Sequence, residues 1–165
     1  MRKPIWAIAN TLMLKPGDPA PEVELQDQNG NSFRFSALRG NGPVVLYFYP
    51  KDNTPVCTKE ACTFRDDHSA FSVLGATVIG ISEDDPNSHR AFAERHKLPF
   101  TLLSDPGDVA FLAFGLQRFL GLKERATFMI DEKGLIRAVI SSRLNAGKHV
   151  REALAALRDQ GLAKS

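Results

Sequence analysis

One run of seven residues constrains this chain more than any other. Pro43-Val44-Val45-Leu46-Tyr47-Phe48-Tyr49 is continuously apolar and rich in β-branched and aromatic side chains, the pattern of a strand covered on both faces. Such a strand belongs in the middle of a sheet with layers on either side. The run stops at Pro50, and Thr54-Pro55 then pairs an N-cap residue type with Pro at the first helical position. Ala61, Phe64, His68 and Phe71 recur at helical spacing, which predicts a helix of about four turns beginning just before Cys57.

The rest of the chain repeats this alternation. Val23 to Leu25 and Ser32 to Phe35 flank Asn29-Gly30, a strong short hairpin signal, so an N-terminal β-hairpin is expected. Thr77 to Ile81 reads as a second strand, and Asp85-Pro86 starts a helix carrying Phe92 and Leu98 before Phe100 to Leu103 turns extended. Asp105-Pro106 is expected to start a short helix through Phe114, stopped by Gly115. Ala126 to Ile130 and Leu135 to Ile140 flank a turn at Asp131 to Gly134, and Asn145 precedes an amphipathic helix with Val150, Leu154 and Leu157. This order predicts an α/β fold, a mixed α/β/α sandwich. At 165 residues with no repeat or linker, one domain over 13–165 is expected, after a short extension at 1–12.

Charge and hydropathy narrow the partners. The 21 Lys and Arg nearly balance 19 Asp and Glu, and no run of like charge gives the basic stripe that nucleic acid requires. Charges or Pro interrupt every apolar run short of the roughly 20 residues of a membrane helix, so no membrane partner is expected. The first 14 residues have the outline of a signal peptide, but the apolar run is poor and no A-x-A site precedes Lys15. Met13 offers an alternative start.

Two cysteines are too few for a disulfide scaffold, so a chemical use is expected. The buried strand leads to a turn, and the turn presents Cys57 in the first turn of a helix. Free backbone N–H groups there favour an anion, and hence a thiolate. The bland alternative is a buried, inert cysteine. Cys62 lies five residues on. In a regular helix the two Cα atoms are roughly 8 to 9 Å apart and rotated by about 140°, whereas a disulfide needs about 7 Å or less. A bond between them would require the helix to unwind. The spacing does not fit C-x-x-C chemistry. His68, His89, His96 and His149 show no pairing at zinc spacing, so no metal or other cofactor is expected and these residues read as solvated or packing histidines. A Cys–His hydrolase, in which one of them meets Cys57 in space, stays open at this point.

The segment Phe48-Tyr49-Pro50 through Asn53-Thr54-Pro55-Val56-Cys57-Thr58-Lys59-Glu60-Ala61-Cys62-Thr63-Phe64-Arg65-Asp66 resembles the active-site stretch of Q-type (bacterioferritin-comigratory) peroxiredoxins, including the P-x-x-x-T-x-x-C signature. The resemblance extends to Gly17-Asp18-Pro19-Ala20-Pro21, Leu38-Arg39-Gly40, Val78-Ile79-Gly80-Ile81-Ser82 and Arg125-Ala126-Thr127-Phe128-Met129-Ile130-Asp131. It implies a thioredoxin-like fold and reduction of hydrogen peroxide and organic hydroperoxides. By the same resemblance Cys57 becomes a sulfenic acid, Cys62 resolves it as a disulfide, and thioredoxin or a similar dithiol regenerates the pair. Thr54 would hydrogen-bond the thiolate and peroxide oxygens, Pro50 would shield the sulfenic acid, and Arg125 would stabilise the thiolate and the charge developing on oxygen. An always-charged planar fork suits that last role in a way Lys does not.

Glu60 matches the family position that orients the Arg, but it reads equally as an exposed helical Glu, so the expected site is Cys57, Cys62, Thr54, Arg125 and Pro50. The stretch Gly115 to Arg125 is shorter than in many members and has no Trp. The resemblance further implies a monomer, and a dithiol that must be re-reduced suits a cytoplasmic location. Two other functions would use the same fold. One is a peroxide sensor or relay that passes its oxidation to a partner protein; the other is a catalytically silent binding module, against which the four signature residues speak.

Overall fold

The computed structural model describes residues 13–162; the extension expected at 1–12 lies outside them. Among the described residues, the strands are β1 (Glu24–Asp27), β2 (Ser32–Arg34), β3 (Val44–Phe48), β4 (Thr77–Ser82), β5 (Thr101–Ser104), β6 (Arg118–Phe119), β7 (Leu122–Lys123), β8 (Ala126–Ile130) and β9 (Ile136–Ser141). The helices are α1 (Pro55–Asp66), α2 (His68–Val73), α3 (Pro86–His96), α4 (Val109–Ala113) and α5 (Ala146–Asp159). Seven strands form one mixed sheet in the order β2-β1-β5-β4-β3-β8-β9. The strand β3 runs parallel to β4 and β4 to β5, while β8 pairs antiparallel with β3 and β9 with β8.

Alternation along the seven-residue run separates two cores. Val44, Leu46 and Phe48 join Phe111, Phe114 and Phe128 on one face, under α4 and the N-terminal segment. Val45, Tyr47 and Tyr49 join Cys57, Phe64, Phe71, Phe92 and Val150 on the other, under α1, α2, α3 and α5. Tyr47 is wedged between Tyr49 and Phe64, its ring centre 5.4 and 4.6 Å from theirs. Burial on both faces confirms β3 as a central strand and the α/β/α sandwich as the fold, the face under α4 carrying fewer helices than the face under α1, α2, α3 and α5. The strand can lie this close to β4 because Gly80 carries no side chain: a Cβ there would stand 2.7 Å from the Tyr47 ring.

Three local expectations need correction. The single four-turn helix is two helices, broken at Asp67, whose N–H returns to Thr63 O while its carbonyl accepts from Ala70. Apolar spacing passes through the break because Phe64 and Phe71 remain packed on each other, 5.6 Å apart. The helix expected at Asp105 begins instead at Val109. Asp105 still serves its start, its carboxylate accepting from Val109 N at 2.7 Å and Phe111 N at 2.9 Å. The first hairpin turns over three residues rather than two: Gly30 N bonds Asp27 O, Asp27 N bonds Asn31 O, and positive φ falls on Gly30 alone. The caps on α3 and α5 are as expected, with Asp85 accepting from Ser88 N and Asn145 from Lys148 N.

Candidate active site

The end of β3 and the start of α1 place Cys57. Pro50 ends the strand and is half-buried, Asn53 turns the chain in the left-handed region at φ 64°, and Pro55 opens the helix, so Cys57 falls in its first turn. Its side chain is 1% exposed. Thr54 occupies the N-cap position without capping through its side chain; its hydroxyl donates to Lys51 O at 2.9 Å. The donor is thus committed within the loop, and the oxygen's lone pairs remain as acceptors.

Arg125, immediately before β8, reaches across to α1. Its Nη2 donates to Cys57 Sγ at 3.0 Å and its Nη1 to Glu60 Oε1 at 2.6 Å, while Nε donates to the Arg143 carbonyl at 3.2 Å. Three anchors therefore fix one guanidinium that is 4% exposed. Burial opposes its charge, and the facing Glu60 and Cys57 more than offset that, raising its pKa above the ordinary value. Glu60 is fully buried, and desolvation pushes its carboxyl up to about 7 against the pull of Arg125. Its Oε2 has no hydrogen-bond partner and lies 3.7 Å from His149 Nδ1. Burial holds the His149 ring below its usual pKa. As a neutral ring it donates from Nε2 to Ser142 O at 2.8 Å, so Nδ1 accepts from the Thr127 hydroxyl, also at 2.8 Å.

A second network ties down the loop between Pro50 and Thr54. Tyr49 Oη donates to Asp52 Oδ1 at 2.6 Å, His89 Nδ1 meets Asp52 Oδ2 at 2.7 Å, and Ser88 Oγ donates to the same oxygen at 3.0 Å. Asp84 accepts from Asp52 N, and His89 Nε2 bonds Leu103 O. Asp52, Asp84 and His89 lie close enough together to hold an ion, but these hydrogen bonds already employ their ligand atoms.

Of the expected residues, then, the structure brings Cys57 and Arg125 into contact and places Pro50 and Thr54 on the loop entering the same helix. Cys62 is half-buried on another side of α1, with a free thiol, as Cys57 has. Its Sγ lies 3.8 Å from His96 Nδ1.

Residues 16–139 match the AhpC/TSA family. Over 156 residues, 92% of this chain, the sequence is 42% identical to the chloroplastic Peroxiredoxin Q of Populus jackii, of which it spans 73%. The corresponding wheat protein, from Triticum aestivum, is 44% identical over 84% of this chain, which spans 64% of it. Among solved structures, peroxidoxin BcpB from Mycobacterium tuberculosis superposes with a TM-score of 0.83 at 42% identity, covering 88% of this chain and 97% of that one. The bacterioferritin comigratory protein of Xanthomonas campestris gives 0.78 at 27% identity, over 92% and 99% of the two chains. The chain belongs to the AhpC/TSA family of peroxiredoxins. In this peroxiredoxin the hairpin β6–β7 fills the short stretch before Arg125, leaving Phe119, Leu120 and Leu122 exposed.

Glu60, weighed from the sequence but left out of the expected site, and His149, read there only as a solvated or packing residue, are the partners the structure adds. Spacing held the signal for Glu60: three residues after Cys57, it shares that side of α1. Nothing local marks His149, which reaches the network by the packing of α5 on α1. Two of the histidines expected to be solvated or packing residues, His89 and His149, prove to be fully buried hydrogen-bonding groups.

Proposed function

We propose that this peroxiredoxin is a thiol peroxidase that reduces hydrogen peroxide and organic hydroperoxides through Cys57. The observation that carries the reading is the Arg125 guanidinium, held by Glu60 and placed 3.0 Å from the Cys57 sulfur at a helix start. A cation and backbone N–H groups together stabilise a thiolate and the oxygen anion that leaves the peroxide. The thiolate attacks one peroxide oxygen, the O–O bond breaks, and the other oxygen departs as water or an alcohol after taking a proton. Thr54 accepts a hydrogen bond from the bound peroxide, and Pro50 walls the loop side of the sulfenic acid. Cys62 then attacks that sulfur, expelling water and leaving a Cys57–Cys62 disulfide, which thioredoxin or a similar dithiol reduces. Such recycling suits a reducing compartment such as the cytoplasm.

The test is peroxide consumption coupled to thioredoxin, thioredoxin reductase and NADPH, with Cys57→Ser as control. Sustained turnover by the wild type and none by the variant supports the reading. Stoichiometric oxidation followed by a stable mixed disulfide with a partner protein would replace it with a peroxide relay.

A further inference from the structure

The second thiol also has a partner. Cys62 faces His96, the last residue of α3, with 3.8 Å between Sγ and Nδ1. The residue is held at its ring and at its backbone. Its edge packs on Phe92, with centroids 4.9 Å apart and planes at 67°. The His96 carbonyl accepts from Arg65 Nη1 at 2.7 Å, and Arg65 stands one turn beyond Cys62 on α1. The residue after Cys62's own turn therefore fixes the end of α3 that presents the imidazole. We propose that His96 is the general base for the resolving step, taking the Cys62 thiol proton so that the sulfur attacks as thiolate. The inference rests on the peroxidase reading above.

The atoms balance without an added reagent. The Cys62 S–H proton passes to His96 Nδ1, and the freed electron pair forms the S–S bond to Cys57. The S–O bond of the sulfenic acid breaks, and the departing hydroxide takes up a proton returned through solvent by the imidazolium, leaving as water. A base must be unprotonated at rest. The charged groups acting on the ring are Arg65 from α1 and Arg95 from its own helix, and these, after desolvation, hold His96 below its ordinary pKa. It thus remains a proton acceptor near neutral pH. Its position on α3 also matters, because unwinding α1 carries the sulfur away as an anion while the proton stays behind.

Reduced protein is mixed with one equivalent of hydrogen peroxide, quenched at intervals with dimedone and an alkylating reagent, and weighed by intact-mass spectrometry. The readout separates sulfenic acid formation from disulfide formation. For His96→Gln, Cys57 oxidation should stay within about twofold while disulfide formation slows about tenfold or more, the scale of a lost general base. Between pH 7 and 8 the wild-type resolving rate should be nearly flat. The variant's should climb with pH, because hydroxide in solution must then take the proton that His96 takes in the wild type. Added imidazole should restore the rate in His96→Gly, which a purely structural role would not allow. Unchanged disulfide rate and pH profile in both variants overturn the base assignment alone. If neither wild type nor variant forms a sulfenic acid, the peroxidase reading fails and this inference with it.

Discussion

Cys57 is 1% exposed, sits in the first turn of α1 and has a guanidinium 3.0 Å from its sulfur. Cys62, five residues along the same helix, is half-buried and faces an imidazole at 3.8 Å. One thiol is placed against a permanent positive charge; the other is beside a neutral ring that can take its proton away. Under the proposed function, the difference separates two jobs within one helix. A nucleophile that must wait for peroxide needs an anion stabilised at rest, whereas a resolving thiol should become an anion when the first has reacted.

The contrast breaks most severely at the first sulfur. Cys57→Ser should lower peroxide reduction by at least a thousandfold, since a hydroxyl cannot supply the anionic nucleophile. Cys62→Ser should leave one fast turnover intact and stop recycling by thioredoxin. Stopped-flow peroxide consumption, single-turnover and coupled, distinguishes the two; near-normal cycling by either variant would end the division of labour.

The distance between the thiols makes the next test a structural one. Along regular helix they stand roughly 8 to 9 Å apart at Cα, beyond disulfide reach, so forming the bond must break hydrogen bonds such as Thr58 N to Thr54 O. Amides from Cys57 to Phe64 should be protected in the reduced protein and exchange about a hundredfold faster when oxidised. Equal protection in both states, with the bond confirmed by mass spectrometry, would overturn local unwinding.

At Arg125 the expected effect is smaller. Arg125→Lys keeps the charge but cannot span Cys57, Glu60 and the Arg143 carbonyl at once, so Cys57 oxidation should fall about 10- to 100-fold with the fold retained. A rate equal to wild type in stopped flow would show that charge alone suffices.

How much of this was legible depended on whether the signal was local. The run from Pro43 to Tyr49 announces a doubly covered strand, and the Pro50-to-Cys57 spacing announces a strand-to-helix turn that presents a thiol. Asp67 breaks the helix without any Gly or Pro to mark it. The apolar spacing that continues through it reports a shared core rather than a continuous helix. The site divides the same way. Cys57 and Thr54 can be placed from their own neighbourhood, but Arg125 lies 68 residues away from its sulfur, and resemblance rather than periodicity singled it out. Contacts such as His96 with Cys62 or His149 with Glu60 depend on how α3 and α5 pack against α1, which no spacing rule encodes.

Glu60 gives the mildest effect and the one with a definite pH signature. Its carboxylate braces Arg125 through Oε1 while Oε2 is buried without a hydrogen bond, so ionisation is opposed by desolvation and its pKa rises from 4.5 to about 7. An acid with a raised folded-state pKa binds its proton more tightly in the native protein than in the unfolded chain. Its contribution to stability is therefore whole below pH 4.5, declines as pH rises, and is gone above about 7, a loss on the order of 3 kcal/mol. Glu60→Gln retains an oxygen for Arg125 and removes the titration. Urea unfolding at a series of pH values should show that the wild type loses stability relative to the variant between pH 4.5 and 7, with peroxide reduction by the variant lowered only about tenfold. Parallel stability curves across that range would mean that Glu60 is ionised throughout, with Arg125 compensating fully for its burial. The brace on the reactive thiol would then be a fixed ion pair, as insensitive to neutral pH as Arg125 itself.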